Sequence, residues 1–355
     1  MENYFKKAVT AMQGYESPPQ KEYLAKLNQN ENPADVPQTI KDELCERAKK
    51  LEWNRYPVNT SPLLREKLAA RHQVKAGQIL TGNGSNQILQ TLYSAVIEPG
   101  DTIIYCAPTF SLYEMFNELY GAKLIKVLQP PGTPFPIVEL LQAIKQHHPR
   151  LVILCSPNNP TGFEMDMEQV SQVCAAAPGL VFFDEAYGEF CERSAIELLP
   201  EYPNLLISRT FSKAFSLAGL RFGYFIAAAG IIAQLVKVNI PYNINLFTEL
   251  VACRLLDDPG LMLQQIERLK VEREWLYQQM QACKFIRVFP SSANFLLFHT
   301  PKDVNLFIEL KKRGILVRDV SSYDLLQGYQ RVSIGSRQEN ELFLEKLQDI
   351  FKDEK

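Results

Sequence analysis

Three unbroken apolar runs constrain this chain more than any other feature: Leu151-Val152-Ile153-Leu154-Cys155, Leu180-Val181-Phe182-Phe183 and Leu205-Leu206-Ile207. None alternates with polar residues, so each reads as a strand buried on both faces. Helical segments are expected between them. Alternating strands and helices of this kind imply an α/β fold: a mainly parallel central sheet with helices on both faces. Each run also ends in polar residues, at Asn158-Asn159, Asp184-Glu185 and Thr210-Phe211-Ser212-Lys213. Ligands of such sheets sit beyond the carboxyl ends of the strands, so the same runs predict where a site would lie. Further strands are expected over 102–107, 123–128 and 222–229, and helices over 39–51, 62–72, 88–97 and 138–147.

A chain of 355 residues has room for two domains and a sizeable core. Residues 1–30, broken at Ser17-Pro18-Pro19, read as an arm packing on the body. Residues 31–260 read as a large domain. A long charged, amphipathic helix over 261–283 opens a smaller α+β domain, 261–355. Its strands are expected at 287–289, 294–298 and 331–334, and its helices at 302–313 and 338–351.

A net charge of −2 gives no electrostatic case for nucleic acid or an anionic membrane. No run of 18 apolar residues suggests a membrane span. The seven cysteines are scattered and form no C-x-x-C pair, which argues against a disulfide frame or a zinc site and for a reducing, cytoplasmic setting. Met1-Glu2-Asn3-Tyr4-Phe5-Lys6-Lys7 has no apolar core of a signal peptide. His147-His148 is adjacent on a helix, so the two rings point apart and read as exposed polar residues, not metal ligands. No metal site is expected.

The residue types after the third run carry chemistry. Lys213 sits among Phe211, Ala214 and Phe215. An amine in apolar surroundings is costly to protonate, so it becomes nucleophilic. Arg221 follows beyond a Gly turn, and with Thr210 and Ser212 it forms a candidate anion site. A second candidate is Gly82-Asn83-Gly84-Ser85-Asn86, where an apolar run enters a Gly loop and a helix leaves it. No G-x-G-x-x-G follows the first strand, which disfavours a dinucleotide oxidoreductase.

Taken together, Asn158-Asn159-Pro160-Thr161-Gly162, Asp184-Glu185-Ala186-Tyr187 and Thr210-Phe211-Ser212-Lys213 with Arg221 resemble, in that order, the motifs of the fold-type I aminotransferases, which use pyridoxal 5'-phosphate. Leu27-Asn28-Gln29-Asn30-Glu31-Asn32-Pro33, Arg55-Tyr56-Pro57 and Pro241-Tyr242-Asn243 resemble markers of the histidinol-phosphate aminotransferase group within that family. The resemblance covers nearly the whole chain. It implies that Lys213 holds the cofactor, that Asp184 lies against the pyridine nitrogen, and that Asn159 and Tyr187 reach the ring's phenolic oxygen. Phe110, with Tyr113 in reserve, would stack on the ring. Gly84, Ser85, Asn86, Thr210, Ser212 and Arg221 would bind the phosphate, joined by Tyr56 across a homodimer interface. Asn30, Tyr242, Asn243 and Arg337 would face the substrate.

Two departures from the family pattern stand out. Ala34-Asp35-Val36 replaces the usual aromatic and Gly after the Asn-rich stretch, and Asn86-Gln87 replaces an acidic pair. The implied reaction moves the amino group of L-histidinol phosphate to 2-oxoglutarate. The implied partners are thus a small-molecule amino donor and a 2-oxo acid. An aromatic amino acid aminotransferase and a threonine-phosphate decarboxylase share the fold and stand as alternatives. A non-catalytic binding protein of this fold is the remote one, since Lys213 is present and no extra basic domain is evident.

Overall fold

In the computed structural model, which describes residues 4–12, 14 and 22–352, the three apolar runs lie side by side at the centre of a sheet. The Ser17-Pro18-Pro19 break falls outside the described residues. In chain order the strands are β1 (Ala25–Lys26), β2 (Ile79–Asn83), β3 (Thr102–Ala107), β4 (Lys123–Leu128), β5 (Leu151–Cys155), β6 (Leu180–Asp184) and β7 (Leu205–Thr210). They continue with β8 (Phe222–Ala227), β9 (Arg287–Val288), β10 (Phe295–His299), β11 (Ile315–Leu316), β12 (Arg318–Asp319) and β13 (Tyr329–Ser333). The main sheet has seven strands in the order β2-β8-β7-β6-β5-β3-β4. Among these described strands β8 alone runs opposite to the other six, pairing antiparallel with β2 and β7.

The apolar runs are continuous because both faces of this sheet are covered. On one face Val152, Leu154, Val181, Phe183, Leu205 and Ile207 join one core. On the other, Leu151, Ile153, Phe182 and Leu206 join a second, under the helices Gly84–Val96 and Leu112–Tyr120. The first core continues into the C-terminal part through Phe295, Phe298, Val332 and Phe343. There a four-stranded antiparallel sheet, β12-β13-β10-β9, packs with the helices Gly260–Gln281 and Arg337–Lys352. Among the described residues, no helix is long and apolar enough to cross a membrane.

Three expectations change. The connection from β6 to β7 holds only two short 3-10 turns, Gly188–Phe190 and Ala195–Leu198, and no α-helix. Glu185 and Glu189 on this segment are committed to buried ion pairs with Arg209, which hold it against the sheet without a helical layer. After Pro108, where the sequence pattern predicts no helix, Leu112–Tyr120 forms one. The end of the expected arm does not lie on the surface. β1 pairs in parallel with β11, and the backbone of Leu27 bonds Leu316 and Ser333, so residues 25–30 are woven into the C-terminal part.

One close approach positions the site. β8 passes antiparallel beside the turn from β2 into the helix Gly84–Val96, with Gly82 opposite Gly223. A Cβ on Gly223 would lie 2.4 Å from the Ser85 amide nitrogen. Glycine at 223 therefore lets backbone meet backbone. Gly223→Ala should lower stability by about 1–3 kcal/mol in urea unfolding, the usual cost of overpacking a rigid contact. An unchanged midpoint would show that the turn yields.

Candidate active site

The polar ends of the central strands converge on one cavity of about 420 Å³. β5 delivers Cys155 and Asn159, β6 delivers Asp184 and Tyr187, and the exit of β7 delivers Thr210, Ser212 and Lys213. Phe110 arrives from the end of β3, and Ser85 and Asn86 from the first turn of the helix after β2. The C-terminal part adds Arg318, Tyr323 and Arg331, and the Asn-rich stretch adds Asn28, Gln29, Asn30 and Glu31.

Lys213 and Asp184 set the cavity's chemistry. The Lys213 ammonium donates to the Gln29 carbonyl at 2.7 Å. Burial pulls its pKa down to about 7, and the Arg331 guanidinium adds to the shift. Asp184 lines the same cavity and is buried, with Oδ2 accepting from the Tyr113 hydroxyl at 2.6 Å and Oδ1 from the Ala186 amide at 3.1 Å. Burial pushes its pKa up to about 6, against those two hydrogen bonds. Tyr113 is not among the residues that line the cavity; it bonds Asp184 from behind, while Phe110, packed against its ring, lines the cavity itself.

Tyr187 and Asn159 are held from the C-terminal side. Asn30 Nδ2 donates to the Tyr187 hydroxyl at 2.8 Å, which leaves that hydroxyl's own hydrogen for the cavity. Ser333 binds both the amide and the side-chain carbonyl of Asn30. Asn30 thus positions Tyr187. Asn159 Oδ1 accepts from the Arg331 guanidinium, whose other arm donates to the Asn28 carbonyl at 2.8 Å.

The remaining wall gathers two hydroxyls, a guanidinium and the start of a helix. Thr210 and Ser212 share a hydroxyl contact at 3.1 Å, and Arg221 Nη1 lies 3.3 Å from Ser212 Oγ. The helix Gly84–Val96 has no side-chain cap, so its first-turn amides are aimed at this space. Gly84 has φ +76°, and a Cβ there would sit 2.6 Å from Arg221 Nη2.

Not every expected residue reaches the cavity. Arg337 does not: it opens the last helix, pairs with Glu272 at 3.0 Å and lies over the Trp275 ring at 3.8 Å. A carboxylate and an aromatic face on the long helix Gly260–Gln281 draw it away. The buried guanidinium in the cavity is Arg331, on β13, to which the sequence pattern assigns a strand and no task. An arginine inside the run Arg331-Val332-Ser333-Ile334 was the available signal, since buried arginine is rare without a task. Asn243 also lies behind the wall, donating to the Thr81 carbonyl and to Gln87. Tyr242 and Tyr56 stack on each other at 4.6 Å outside the cavity, with Tyr56 82% exposed.

With no small molecule bound, acylation of Lys213 by acetic anhydride should rise with pH through a midpoint near 7, because the reagent attacks only the neutral amine. Peptide mass spectrometry reads this directly. A midpoint near the ordinary lysine value of about 10.4 would show that the cavity does not strip the proton.

Residues 23–347 match the family described as aminotransferase class I and II. The histidinol-phosphate aminotransferase of Caldanaerobacter subterraneus subsp. tengcongensis is 33% identical over 352 residues, spanning 99% of each chain. That of Chlorobium luteolum is 36% identical over 323 residues, 91% of this chain and 90% of that one. Among solved structures, histidinol-phosphate aminotransferase from Clostridium acetobutylicum superposes with a TM-score of 0.85 at 25% identity, covering 93% of this chain and all (100%) of the other. The Sinorhizobium meliloti enzyme in complex with pyridoxal-5'-phosphate gives 0.87 at 22% identity, over 99% and 98%, and shares the fold. A lysine and an aspartate facing one cavity, the anion nest beside them and these likenesses lead to one assignment: the chain belongs to the class I and II aminotransferases.

Proposed function

We propose that this chain is a pyridoxal 5'-phosphate-dependent aminotransferase that moves the amino group of L-histidinol phosphate to 2-oxoglutarate, giving imidazole acetol phosphate and glutamate. The observation that carries the reading is that a deprotonatable Lys213 and a buried Asp184 line one cavity together with Thr210, Ser212, Arg221 and the first turn of the helix Gly84–Val96. The relatives of that name, at 33–36% identity over 91–99% of the chain, supply the substrate class.

The cavity fits the cofactor group by group. The nest takes its phosphate, with Gly84 leaving the space that a Cβ would fill. Phe110 offers a ring face, and Tyr187 and Asn159 offer polar groups to the phenolic oxygen. Asp184 supplies a negative charge for the pyridine nitrogen, and Lys213 Nζ supplies the amine. When bound, the cofactor provides the electron sink for breaking the Cα–H bond. Lys213, with a pKa near neutrality, is suited to take that proton at Nζ and to return it. Arg331 presents a buried fork to the anionic group of either substrate, and Arg318 adds a second cation.

A homodimer belongs to the same reading. Trp53, Tyr56, Val58, Leu63, Ile240 and Tyr242 are exposed, and the Tyr56–Tyr242 stack joins the two segments that carry them. Apolar exposure of this kind marks an interface. Tyr56 would reach the partner's phosphate site from there. Seven free thiols fit a reducing cytoplasm.

Purified protein assayed with histidinol phosphate, phenylalanine, tyrosine and phosphothreonine should turn over the first with the highest kcat/KM. Preference for any other, or decarboxylation of phosphothreonine, would overturn the substrate reading. Hybrid dimers of a Lys213→Ala chain with a Tyr56→Phe chain should recover activity, because one site is then free of both changes. Verified hybrids no more active than either parent, when Tyr56→Phe is itself impaired, would refute a shared site.

Asp184→Asn should keep the cofactor but slow proton abstraction. A close ion pair is worth on the order of 4 kcal/mol at an effective dielectric near 20. If half of that develops as the bond breaks, the rate falls roughly 30-fold. Single-turnover loss of the bound cofactor's absorbance measures it. A rate within a factor of two of wild type would remove Asp184 from its role.

A further inference from the structure

Tyr113 is fully buried in the first turn of the helix Leu112–Tyr120, outside the cavity. Phe110 and Phe182 pack edge-on against its ring at 5.6 and 6.2 Å, which fixes where its hydroxyl points. That hydroxyl donates to Asp184 Oδ2 at 2.6 Å. With Ala186 N on Oδ1, the two donors clamp both oxygens and set the plane in which the carboxylate faces the cavity. We infer that Tyr113 is a positioning residue: its hydroxyl holds Asp184 aimed and ionised, so that the carboxylate meets a protonated pyridine nitrogen as a ready-made charge. The inference rests on Asp184 being the partner of that nitrogen.

The physical reasons are direct. A carboxylate in a dry pocket is unstable unless donors reach it, and a donor to the charged form favours that form. The phenol does this without adding charge, and burial holds its own proton in place. The other groups around Asp184 do not replace it. Glu185, next in sequence, opposes ionisation. The Cys155 thiol at the end of β5 is held protonated by burial. The Tyr187 hydroxyl accepts from Asn30 and turns its own hydrogen to the cavity, while Lys213 and Arg331 share the cavity but bond to Gln29, Asn159 and Asn28.

The test uses Tyr113→Phe, which keeps the ring and removes only the hydroxyl. In the cofactor-free protein, isotope-edited infrared spectroscopy can follow the Asp184 carboxyl band, assigned by its loss in Asp184→Asn. Losing a hydrogen bond to a charged group should raise the proton affinity of Asp184 about tenfold or more. Binding of pyridoxine 5'-phosphate, which has the ring and phosphate but no aldehyde for Lys213, gives the second readout. Its affinity should fall about tenfold relative to wild type below pH 6, where both proteins must release a proton from Asp184. The gap should close once the pH exceeds the variant's own midpoint. A purely structural defect would weaken binding equally at every pH, and that result, or an unmoved carboxyl midpoint, overturns the inference. If the carboxyl midpoint moves but the pH dependence of probe affinity does not move with it, the assignment of Asp184 to the ring nitrogen is at fault. The positioning role of Tyr113 then falls with it.

Discussion

Arg209 is the residue on which the site's geometry hangs. It is 5% exposed, on β7, and its guanidinium meets Glu185 at 2.6 Å, Glu189 at 3.0 Å and Ser194 at 2.9 Å. These partners all lie on the segment that leaves β6, so the arginine ties that segment to the neighbouring strand. Glu189 passes the tie to Arg71 at 2.9 Å, and Arg71 lies over the Phe215 ring beside the Lys213 loop. Burial and the nearby Arg209 hold His72 neutral, with a pKa pulled down to about 3, so two arginines face two glutamates and the charges balance. Removing one partner from such a network costs about 3–5 kcal/mol, because the other charge is left stranded. The network supplies what a helix between β6 and β7 would otherwise supply, and it keeps the Asp184 and Lys213 strand ends in register.

Strand alternation then decides which acid serves the cavity. Phe182 and Phe183 belong to opposite cores, so Asp184 continues the face of Phe182, where Tyr113 packs. Glu185 falls on the face of Phe183 and meets Arg209. The same period puts Thr210 on the anion nest and Arg209 among the ion pairs. Two adjacent carboxyls thus acquire separate tasks through the two-residue repeat of the backbone. Glu185 is not a substitute for Asp184, since its oxygens are occupied by Arg209, Ser194 and the Ala195 amide.

Much of this was legible in the chain. Apolar runs long enough to be buried on both faces announce a covered sheet, and the polar residues that end them announce where ligands meet it. Lys213, Asp184, Tyr187, Asn159 and Phe110 each lie within a few residues of a strand end, Arg221 follows beyond a Gly turn, and the family resemblance supplied their roles. Contacts between distant segments were not legible. The sequence points to Arg337 and gives Arg331 no task, and only the packing of the last helix against Glu272 and Trp275 takes Arg337 out of the cavity. Asn30 reads as a substrate contact, but its bond to a tyrosine 157 positions away could not be read from the chain. The missing helix after β6 could not be foreseen either, because the pairing that replaces it joins Glu185 to Arg209 across two strands.

Gln87, where relatives of this fold were expected to carry an acid, shows how such long-range sets are built. Its carbonyl accepts from the Asn83 amide at 3.1 Å and from Asn243 at 3.0 Å, and its amide donates to Thr91 at 3.0 Å and Asn239 at 3.1 Å. A carboxylate in that place could accept the first pair but could not donate the second. The Asn239 side chain would have to turn over, and its present acceptance from Thr91 and Asn243 would be lost. Gln87, Asn239 and Asn243 are therefore one neutral brace, and a change at any of them asks for changes at the others. Neutrality has a consequence one turn away, where the helix N-terminus and Arg221 form the nest proposed for a phosphate. An acid at position 87 would be favoured by the helix dipole but would repel that phosphate. The amide keeps the turn rigid through four hydrogen bonds and leaves the positive field of the nest undiminished.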